Sequence, residues 1–446
     1  MKRFLSIVLA AIMLVLPLSG VIADDTLELS HEWDRIDMGE THSAAVQPVD
    51  QGYAWGYNYD GAIGNGVTAS SNCPVPYHWG DNIRAVSANR KTTLAIDNND
   101  VLYIFGEIWF GTGGNTDMPT PYVYTEPLEF ATNVRQAVMG MNHLVYVKND
   151  NTLWVYGENY HGQIGDNTTT NCYTAKQLLT NVAYAAAGDC VTAALKTDGT
   201  LWMWGFNTYG QVGNNSTTDR KTPVQVLTDV FTVSVMGDHV LAIKNDGSVW
   251  AWGRNDYGQL GNGNTTNQKK PVQVMTGAAQ VSAGMFHSAV LKTDGTLWFA
   301  GNNYRGCFGT GVAGGYSEAH SAFAQTEGSY VAVKCGYYTT AVVLPTGQVS
   351  VAGYNTYGQL GTGSTCVSVP AFTPIDVWIF NENSGYLIGD ADVNFTVDFA
   401  DVSLYAAYLM NLTDLTPQGK INADANLDGE LDVLDVPAIY NIALGN

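Results

Sequence analysis

Two acidic segments near the C-terminus have the residue types and the spacing to bind a metal ion. Each is a twelve-residue loop with oxygen-bearing side chains at positions 1, 3, 5, 9 and 12, followed by an apolar stretch that predicts a helix. Calcium takes about six to eight oxygen ligands, and such a loop supplies them together with the backbone carbonyl at position 7. The predicted ligands, with Thr396 and Glu430 contributing carbonyls, are Asp390, Asp392, Asn394, Thr396, Asp398 and Asp401, then Asp424, Asn426, Asp428, Glu430, Asp432 and Asp435.

The two loops differ at position 6, where the backbone must turn sharply. Gly429 occupies this position in the second loop and Phe395 occupies it in the first. The sequence therefore predicts two calcium ions, with weaker binding at the first site. The alternative for a single loop is an acidic turn whose aspartates favour the N-terminal end of a helix dipole. A tandem pair of such loops is harder to explain in that way.

The paired loops, with aspartate at position 12, resemble a type I dockerin. This resemblance implies a small all-α calcium-binding domain over residues 389–446, after a linker over residues 378–388. It also implies a partner, the cohesin module of an extracellular scaffold protein such as that of a cellulosome. Positions 10 and 11 of each loop contact the cohesin in that family, and packing in the helix core is the alternative role. They correspond here to Phe399, Ala400, Val433 and Leu434.

Seven copies of one unit precede this tail. In every copy a glycine ends an aromatic strand, and further glycines follow five and eight residues later. An apolar–turn–apolar pattern such as ALKTDGTLWMWG (residues 194–205) predicts a β-hairpin. We expect its Asp-Gly pair to be a two-residue turn with both residues at positive φ. The strand-ending glycines are Gly56, Gly106, Gly157, Gly205, Gly253, Gly301 and Gly353.

About four short strands in each copy, without helical periodicity, predict a seven-bladed all-β propeller over residues 30–377. Segments 30–36 and 371–377 flank the copies, and we expect them to complete one blade together. The repeats resemble the regulator-of-chromosome-condensation repeat through the pattern S-A-G-x-x-H-S…L-x-T-D-G-x-L-W-x-x-G-x-N-x-x-G-Q-L-G. This resemblance implies the propeller fold and no particular partner. A ring that closes within one chain predicts a monomer.

Aromatic residues in the propeller loops are candidates for ligand contact. Tyrosines follow most strand glycines by three or four residues, and aromatic rings stack on sugars or anchor protein interfaces. Packing within the loops is the alternative. Trp109 and Phe110 depart from the repeat pattern and are more specific candidates. The candidate face residues are Trp109, Phe110, Tyr160, Tyr209, Tyr257, Tyr304 and Tyr357, with Tyr59 at the equivalent place in the first copy.

The propeller sequence has no catalytic motif of the GxSxG, HExxH or GxxxxGK[ST] type. Four histidines recur at one repeat position, which favours a hydrogen-bonding role in the blades over catalysis. Two carboxylates from different blades could still meet for glycoside hydrolysis, and that alternative stays open. The recurring histidines are His42, His143, His239 and His287.

The N-terminus and the charge predict where the protein works. Residues 1–23 resemble a secretory signal peptide, because Lys2 and Arg3 precede a short apolar run. No later stretch has the roughly 18 apolar residues of a membrane span. The formal net charge of −21 disfavours nucleic acid as a partner. We expect a secreted protein, free or carried on a cell-surface complex.

Three functions fit these observations. The leading hypothesis is a non-catalytic binding and assembly protein whose tail docks onto a cohesin. Its propeller would display a protein- or glycan-recognition surface, in a setting such as polysaccharide breakdown. A second hypothesis is a secreted enzyme inhibitor, since the propeller-type β-lactamase inhibitor protein is similar to these repeats. A third is a polysaccharide-degrading hydrolase or lyase.

Overall fold

A computed structural model describes residues 35–47, 51–108, 122–315 and 319–379. The chain divides into two units, residues 1–32 and 33–446, and every described residue belongs to the second. The predicted signal peptide, both calcium loops and the four predicted cohesin contacts lie outside the described residues. In the part that is described, no helix is long and apolar enough to cross a membrane.

Seven four-stranded antiparallel sheets make up the described chain, and each contains four consecutive strands. We call them blades 1 to 7. Blades 1 to 4 comprise β1 (Ile36–Met38), β2 (His42–Gln47), β3 (Gln51–Gly56), β4 (Ser71–Asp81); β5 (Ile83–Ala88), β6 (Thr92–Asp97), β7 (Leu102–Ile108), β8 (Tyr122–Ala131); β9 (Val134–Met139), β10 (His143–Lys148), β11 (Leu153–Gly157), β12 (Cys172–Leu179); β13 (Val182–Ala187), β14 (Val191–Lys196), β15 (Leu201–Gly205) and β16 (Arg220–Leu227). Blades 5 to 7 comprise β17 (Val230–Met236), β18 (His239–Lys244), β19 (Val249–Gly253), β20 (Gln268–Met275); β21 (Ala278–Ala283), β22 (His287–Lys292), β23 (Leu297–Gly301), β24 (His320–Gln325); β25 (Ala332–Cys335), β26 (Thr339–Val343), β27 (Gln348–Tyr354) and β28 (Ser368–Trp378).

The first strands of the blades form the inside of a ring. Each contacts the first strand of the next blade, and β25 of blade 7 contacts β1 of blade 1, so the cycle closes. The fourth strands lie at the outside, where their side chains are mostly exposed or half-buried. The all-β seven-bladed propeller that the repeats predicted is therefore confirmed.

The expected shared blade is wrong. Of segment 30–36, the described residue Ile36 begins β1 of blade 1, whereas 371–377 lies in β28 of blade 7, so no sheet of the described residues contains strands from both segments. Side chains close the ring instead. Ile36 and Trp55 of blade 1 share one buried core with Val343 and Val377 of blade 7. Lys334 of blade 7 also pairs with a carboxylate of blade 1 at 3.4 Å.

The Asp-Gly hairpins also differ from the expected two-residue turns. Gly199 has a φ of +76°, but Asp198 is not among the residues with positive φ. The N–H of Lys196 donates to the carbonyl of Thr200 at 2.9 Å, and the N–H of Gly199 donates back to Lys196 at 2.9 Å. This is a three-residue loop, a turn followed by a left-handed glycine, and not a two-residue turn.

The hydrophobic core is divided among the borders between blades. One cluster, for example, joins Leu201 and Met203 of blade 4 to Val240 and Trp252 of blade 5. All four side chains are fully buried. The blades therefore depend on their neighbours, because each sheet alone would expose the faces that these clusters cover.

The ring has two faces that differ in their connections. We call loop face the side with the turns between first and second strands and the long loops between third and fourth strands. We call turn face the opposite side, with the Asp-Gly hairpins and the connectors to the next blade. The predicted tyrosines all follow third strands, so they belong to the loop face.

Candidate recognition face

One buried asparagine organises the long loop in six of the seven blades, and the long loop of blade 2 lies outside the described residues. The side-chain N–H groups of Asn207 donate to the carbonyls of Ser216 at 3.1 Å and Thr218 at 2.9 Å. Its side-chain oxygen accepts from the N–H of Val212 at 2.9 Å. The sequence analysis gave this position no role, although its recurrence two residues after the strand glycine was visible. The equivalent residues are Asn58, Asn159, Asn255, Asn303 and Asn355.

Below these loops, polar joints connect neighbouring blades at several borders. At the border of blades 3 and 4, the hydroxyl of Thr192 donates to the carbonyl of Gln163 at 2.8 Å. Because its one proton is used in this bond, the hydroxyl accepts from Nε2 of His143, which lies 2.9 Å away. The indole N–H of Trp204 donates to the same Gln163 carbonyl at 2.8 Å. Because Nε2 of His143 donates to the Thr192 hydroxyl, the proton of this neutral imidazole lies on Nε2.

The four recurring histidines all take part in such joints. Each lies at the start of a second strand, is almost fully buried and bonds to a hydroxyl of the next blade at 2.7 to 3.0 Å. Burial lowers the pKa of His42 and His143 to about 4, and of His239 and His287 to about 3. The histidines are therefore neutral and sequestered at ordinary pH. The predicted hydrogen-bonding role in the blades is confirmed.

The tyrosines form part of an aromatic network on the loop face, which consists of separate groups of ring contacts. At the border of blades 7 and 1, the ring of Tyr357 lies 5.5 Å from Tyr57 and 6.0 Å from Tyr354. Tyr57 in turn lies 5.1 Å from Tyr59. Edge-to-face contacts of this kind stabilise aromatic pairs beyond the area they bury.

A second group of ring contacts in this network spans blades 5, 6 and 7. The ring of Tyr257 lies 5.1 Å from Phe286, which lies 5.6 Å from Tyr338. Tyr338 lies 5.3 Å from Tyr304. Phe286 and Tyr338 were missed by the sequence analysis, because they belong to turns between first and second strands. Those turns meet the long loops only after the blades are assembled.

The predicted tyrosines differ in exposure. Tyr59 and Tyr160 are 67% and 65% exposed, and Tyr357 is 40% exposed. Tyr209, Tyr257 and Tyr304 are half-buried, so both the proposed ligand contact and the alternative of loop packing describe part of their surface. Trp109 and Phe110 lie outside the described residues.

Carboxylates from different blades meet near the centre of the loop face. The Tyr337 hydroxyl of blade 7 donates to the Asp189 carboxylate of blade 4 at 3.4 Å, across the ring. Burial, with a contribution from the nearby Asp238, raises the pKa of Asp189 to about 6. Burial also raises the pKa of Asp238. On the rim of this centre, Arg90 pairs with Glu40 at 3.0 Å.

A second carboxylate pair spans blades 1 and 2. Lys91 lies 2.9 Å from a carboxylate oxygen of Glu107 and 3.5 Å from one of Asp60. Burial raises the pKa of Asp60, and the charge of Lys91 opposes this shift. The charge of Lys91 offsets one of the two carboxylate charges. Within the described ranges, no group of three or more His, Cys, Asp or Glu side chains could hold a metal ion.

Comparison with known families identifies the propeller. A model of the RCC1-like domain matches residues 23–313, which is more than half of the chain. The chain belongs to the RCC1-like domain family. A model of the Regulator of chromosome condensation (RCC1) repeat also matches residues 330–359. The resemblance of the repeats is confirmed, and the dockerin-like resemblance of residues 389–446 stays a prediction.

Solved structures agree with the RCC1-like fold. Yeast RCC1 (Prp20) bound to Kap60 superposes with a TM-score of 0.66 at 17% identity, over 81% of this chain and 89% of that one. Human WBSCR16 gives a TM-score of 0.63 at 18% identity, over 73% of this chain and 94% of that one. At such identities the likeness shows the fold alone.

Curated relatives match only part of the RCC1-like propeller. The mouse serine/threonine-protein kinase Nek9 is 28% identical over 151 residues, 31% of this chain and 15% of the kinase. The Arabidopsis thaliana ultraviolet-B receptor UVR8 is 28% identical over 138 residues, 29% of this chain and 30% of the receptor. The chain thus matches less than a third of the length of either relative.

Proposed function

We propose that this RCC1-like propeller is a secreted, non-catalytic recognition protein that binds a protein partner through its loop face. The observation that carries the proposal is the aromatic character of the loop face: its ring network includes Tyr59, which is 67% exposed, and Tyr160 is 65% exposed. Large rigid aromatic rings that remain accessible are typical anchors of protein interfaces. RCC1-like propellers are protein-interaction modules, and the yeast relative is seen bound to Kap60.

The proposal assigns attachment to the tail. The two acidic loops would bind calcium and fold residues 389–446 into a dockerin-like domain that docks onto a cohesin of an extracellular scaffold. Support comes from the spacing of oxygen ligands in both loops and from Gly429 at the sharp turn of the second. Phe399, Ala400, Val433 and Leu434 would form the apolar contact with the cohesin.

A binding experiment with purified components tests the attachment. The full chain is mixed with purified type I cohesin modules in calcium or in chelator, and complexes are separated by size-exclusion chromatography. We expect a complex with at least one cohesin in calcium only. Asp424→Asn combined with Asp428→Asn should abolish it, and Asp414→Asn, outside both loops, should not. Binding that survives chelator, or no binding to any cohesin, would contradict the docking role.

A second arm tests the loop face. The chain and its Tyr59→Ala/Tyr160→Ala variant are immobilised and exposed to secreted proteins of the source, and retained proteins are identified and purified for direct titration. We expect the purified partner to lose affinity for the variant, while cohesin binding is unchanged. A partner that is an enzyme and is inhibited would support the inhibitor hypothesis instead. Sugar release by the chain alone would support the enzyme hypothesis.

A further inference from the structure

Arg305 is the unusual residue of the loop face. It stands four residues after the strand glycine of blade 6, a place that tyrosine occupies in blades 4, 5 and 7. Its φ is +65°, a left-handed conformation that is unfavourable for most residues other than glycine, asparagine and aspartate. Every other non-glycine residue with positive φ in the described ranges is Asn or Asp. Such an outlier is a reason to look for a functional constraint.

The guanidinium of Arg305 lies between two aromatic rings. Its central carbon is 4.6 Å from the ring centre of Tyr304 and 5.7 Å from that of Tyr354. These rings hold the cation in place and reduce its contact with water. The Arg305 side chain as a whole is half-buried.

Among the described residues, this guanidinium has no anionic partner. Its Nε atom is buried without a hydrogen bond, and no ion pair with Arg305 occurs among the described residues. This is notable in a chain with 41 acidic and 20 basic side chains. By contrast, Arg84 pairs with Asp100 at 2.8 Å and Arg90 pairs with Glu40 at 3.0 Å.

Arg254, one blade away, shows what completes such an arrangement. Its guanidinium carbon lies 4.9 Å from the ring of Tyr209 and 5.3 Å from that of Phe286. Two carboxylates complete this site: Asp256 lies 2.8 Å from Nε, and Asp238 lies 3.6 Å from Nη1. Two rings and a guanidinium thus recur in blade 6, without a carboxylate partner from the part of the chain that the structure describes.

We propose that Arg305, with Tyr304 and Tyr354, is a recognition site for a carboxylate of the protein partner. A guanidinium presents parallel N–H donors that match a carboxylate, and such charge-assisted bonds are strong when water is excluded. A single cation suits a single carboxylate, whereas the net charge of −21 disfavours polyphosphate ligands. This inference rests on the proposed use of the loop face and names the chemistry that the partner presents there.

An array of short random peptides with blocked ends, probed with the full chain, tests the proposal. We expect peptides with Asp or Glu to be enriched. An acidic peptide from the array is then titrated by fluorescence anisotropy, beside its Asn or Gln counterpart. Arg305→Met should weaken the acidic peptide by roughly tenfold to a hundredfold and leave its amide counterpart unchanged. Arg220→Met, an exposed arginine of an outer strand, is the matched control and should change neither.

Arg305→Gly separates recognition from stability. Glycine accepts the φ of +65° without strain, so this variant should unfold at the same or a higher temperature. It should nevertheless lose the acidic peptide as Arg305→Met does. A residue with a purely structural role would give the opposite result, lower stability with unchanged binding.

Several outcomes would overturn the assignment. Enrichment without acidic residues, or binding that is indifferent to Arg305→Met, excludes the carboxylate site. Arg305-dependent binding of trigalacturonate without any peptide would make the carboxylate that of a sugar and refute a protein source. Peptides that respond to Tyr357→Ala but not to Arg305→Met would remove this inference and keep the proposed function. Peptides that respond to neither variant would remove the loop face as the recognition surface.

Discussion

Acidification should unfold the propeller through its buried histidines. Each is neutral in the folded state, with a pKa lowered by burial to about 4 for His42 and His143, whereas an unfolded histidine titrates near about 6.5. Between these values the unfolded chain binds more protons, so stability is fully present above about pH 6.5 and is lost as the pH falls toward 4. At about pH 5 each of these histidines should lower the free energy of unfolding by on the order of 2 kcal/mol relative to neutral pH. Four such sites together approach the whole stability of a typical domain, about 5–15 kcal/mol.

Urea unfolding followed by tryptophan fluorescence measures this effect in the propeller alone. All eleven tryptophans precede residue 380, so the acidic tail does not contribute to the signal. His42→Gln combined with His143→Gln replaces two titrating rings by neutral donors. We expect the double variant to be less stable at about pH 8, because glutamine fits the joint imperfectly. On going to about pH 5, its free energy of unfolding should then fall by about 4 kcal/mol less than that of the wild type.

Trp204→Phe is the matched control. It removes another bond to the same Gln163 carbonyl without removing a titrating group, so its stability deficit should be equal at each pH. Asp189, whose raised pKa acts in the opposite direction, is common to all three proteins and cancels in the comparison. Equal pH slopes for the wild type and the histidine double variant would refute the reasoning.

Three further predictions concern the joints, the loops and the tail. Ser43→Ala and Trp55→Phe each remove one of two donors to the Gln359 carbonyl, which lie 2.7 and 2.9 Å from it. The double variant should therefore lose about 1 kcal/mol more free energy of unfolding than the two single variants lose in sum. Strict additivity in urea unfolding would show that water replaces the two donors. Asn207→Ala should cost about 2–4 kcal/mol, because it leaves four loop polar groups unpaired, and a loss below about 1 kcal/mol would show that the loop is held otherwise. Chelator should abolish the helical circular dichroism of residues 389–446, which have too small a core to offset clustered carboxylates, and Asp424→Asn should reproduce part of that loss; an unchanged spectrum would contradict it.

The repeat glycines predicted the blades because their role is local. A strand that ends in glycine and a loop with two more glycines recur in sequence exactly as they recur in space, so the number of blades could be read directly. The Asp-Gly turns were assigned the wrong loop length for a related reason. Two-residue and three-residue hairpins both place the glycine at positive φ, and only the bond from Lys196 to Thr200 distinguishes them.

Features that depend on assembly could not be predicted in this way. The aromatic network combines loop residues such as Tyr304 with turn residues such as Tyr338, which come from another blade. Whether a carboxylate of the described ranges reaches Arg305 likewise depends on how the blades are assembled, and none does. Ring closure by side chains was not predicted, because the two possible ways of closure have the same sequence pattern. Apolar residues near both ends of the repeats are expected whether the ends share a blade or only pack against each other.

The joint between blades 7 and 1 makes the starting point of the ring arbitrary. The chain passes from blade to blade through short connectors, as from Asp81 to Ile83 or from Leu227 to Val230. At the border of blades 7 and 1, Trp378 likewise ends a fourth strand and Ile36 begins a first strand, but no connector joins them. Because no sheet takes strands from both ends, a chain relinked there and opened at another border would contain the same seven sheets in the same cyclic order. The contacts between blades therefore determine the cyclic order of the sheets, and they do not determine at which border the chain begins and ends.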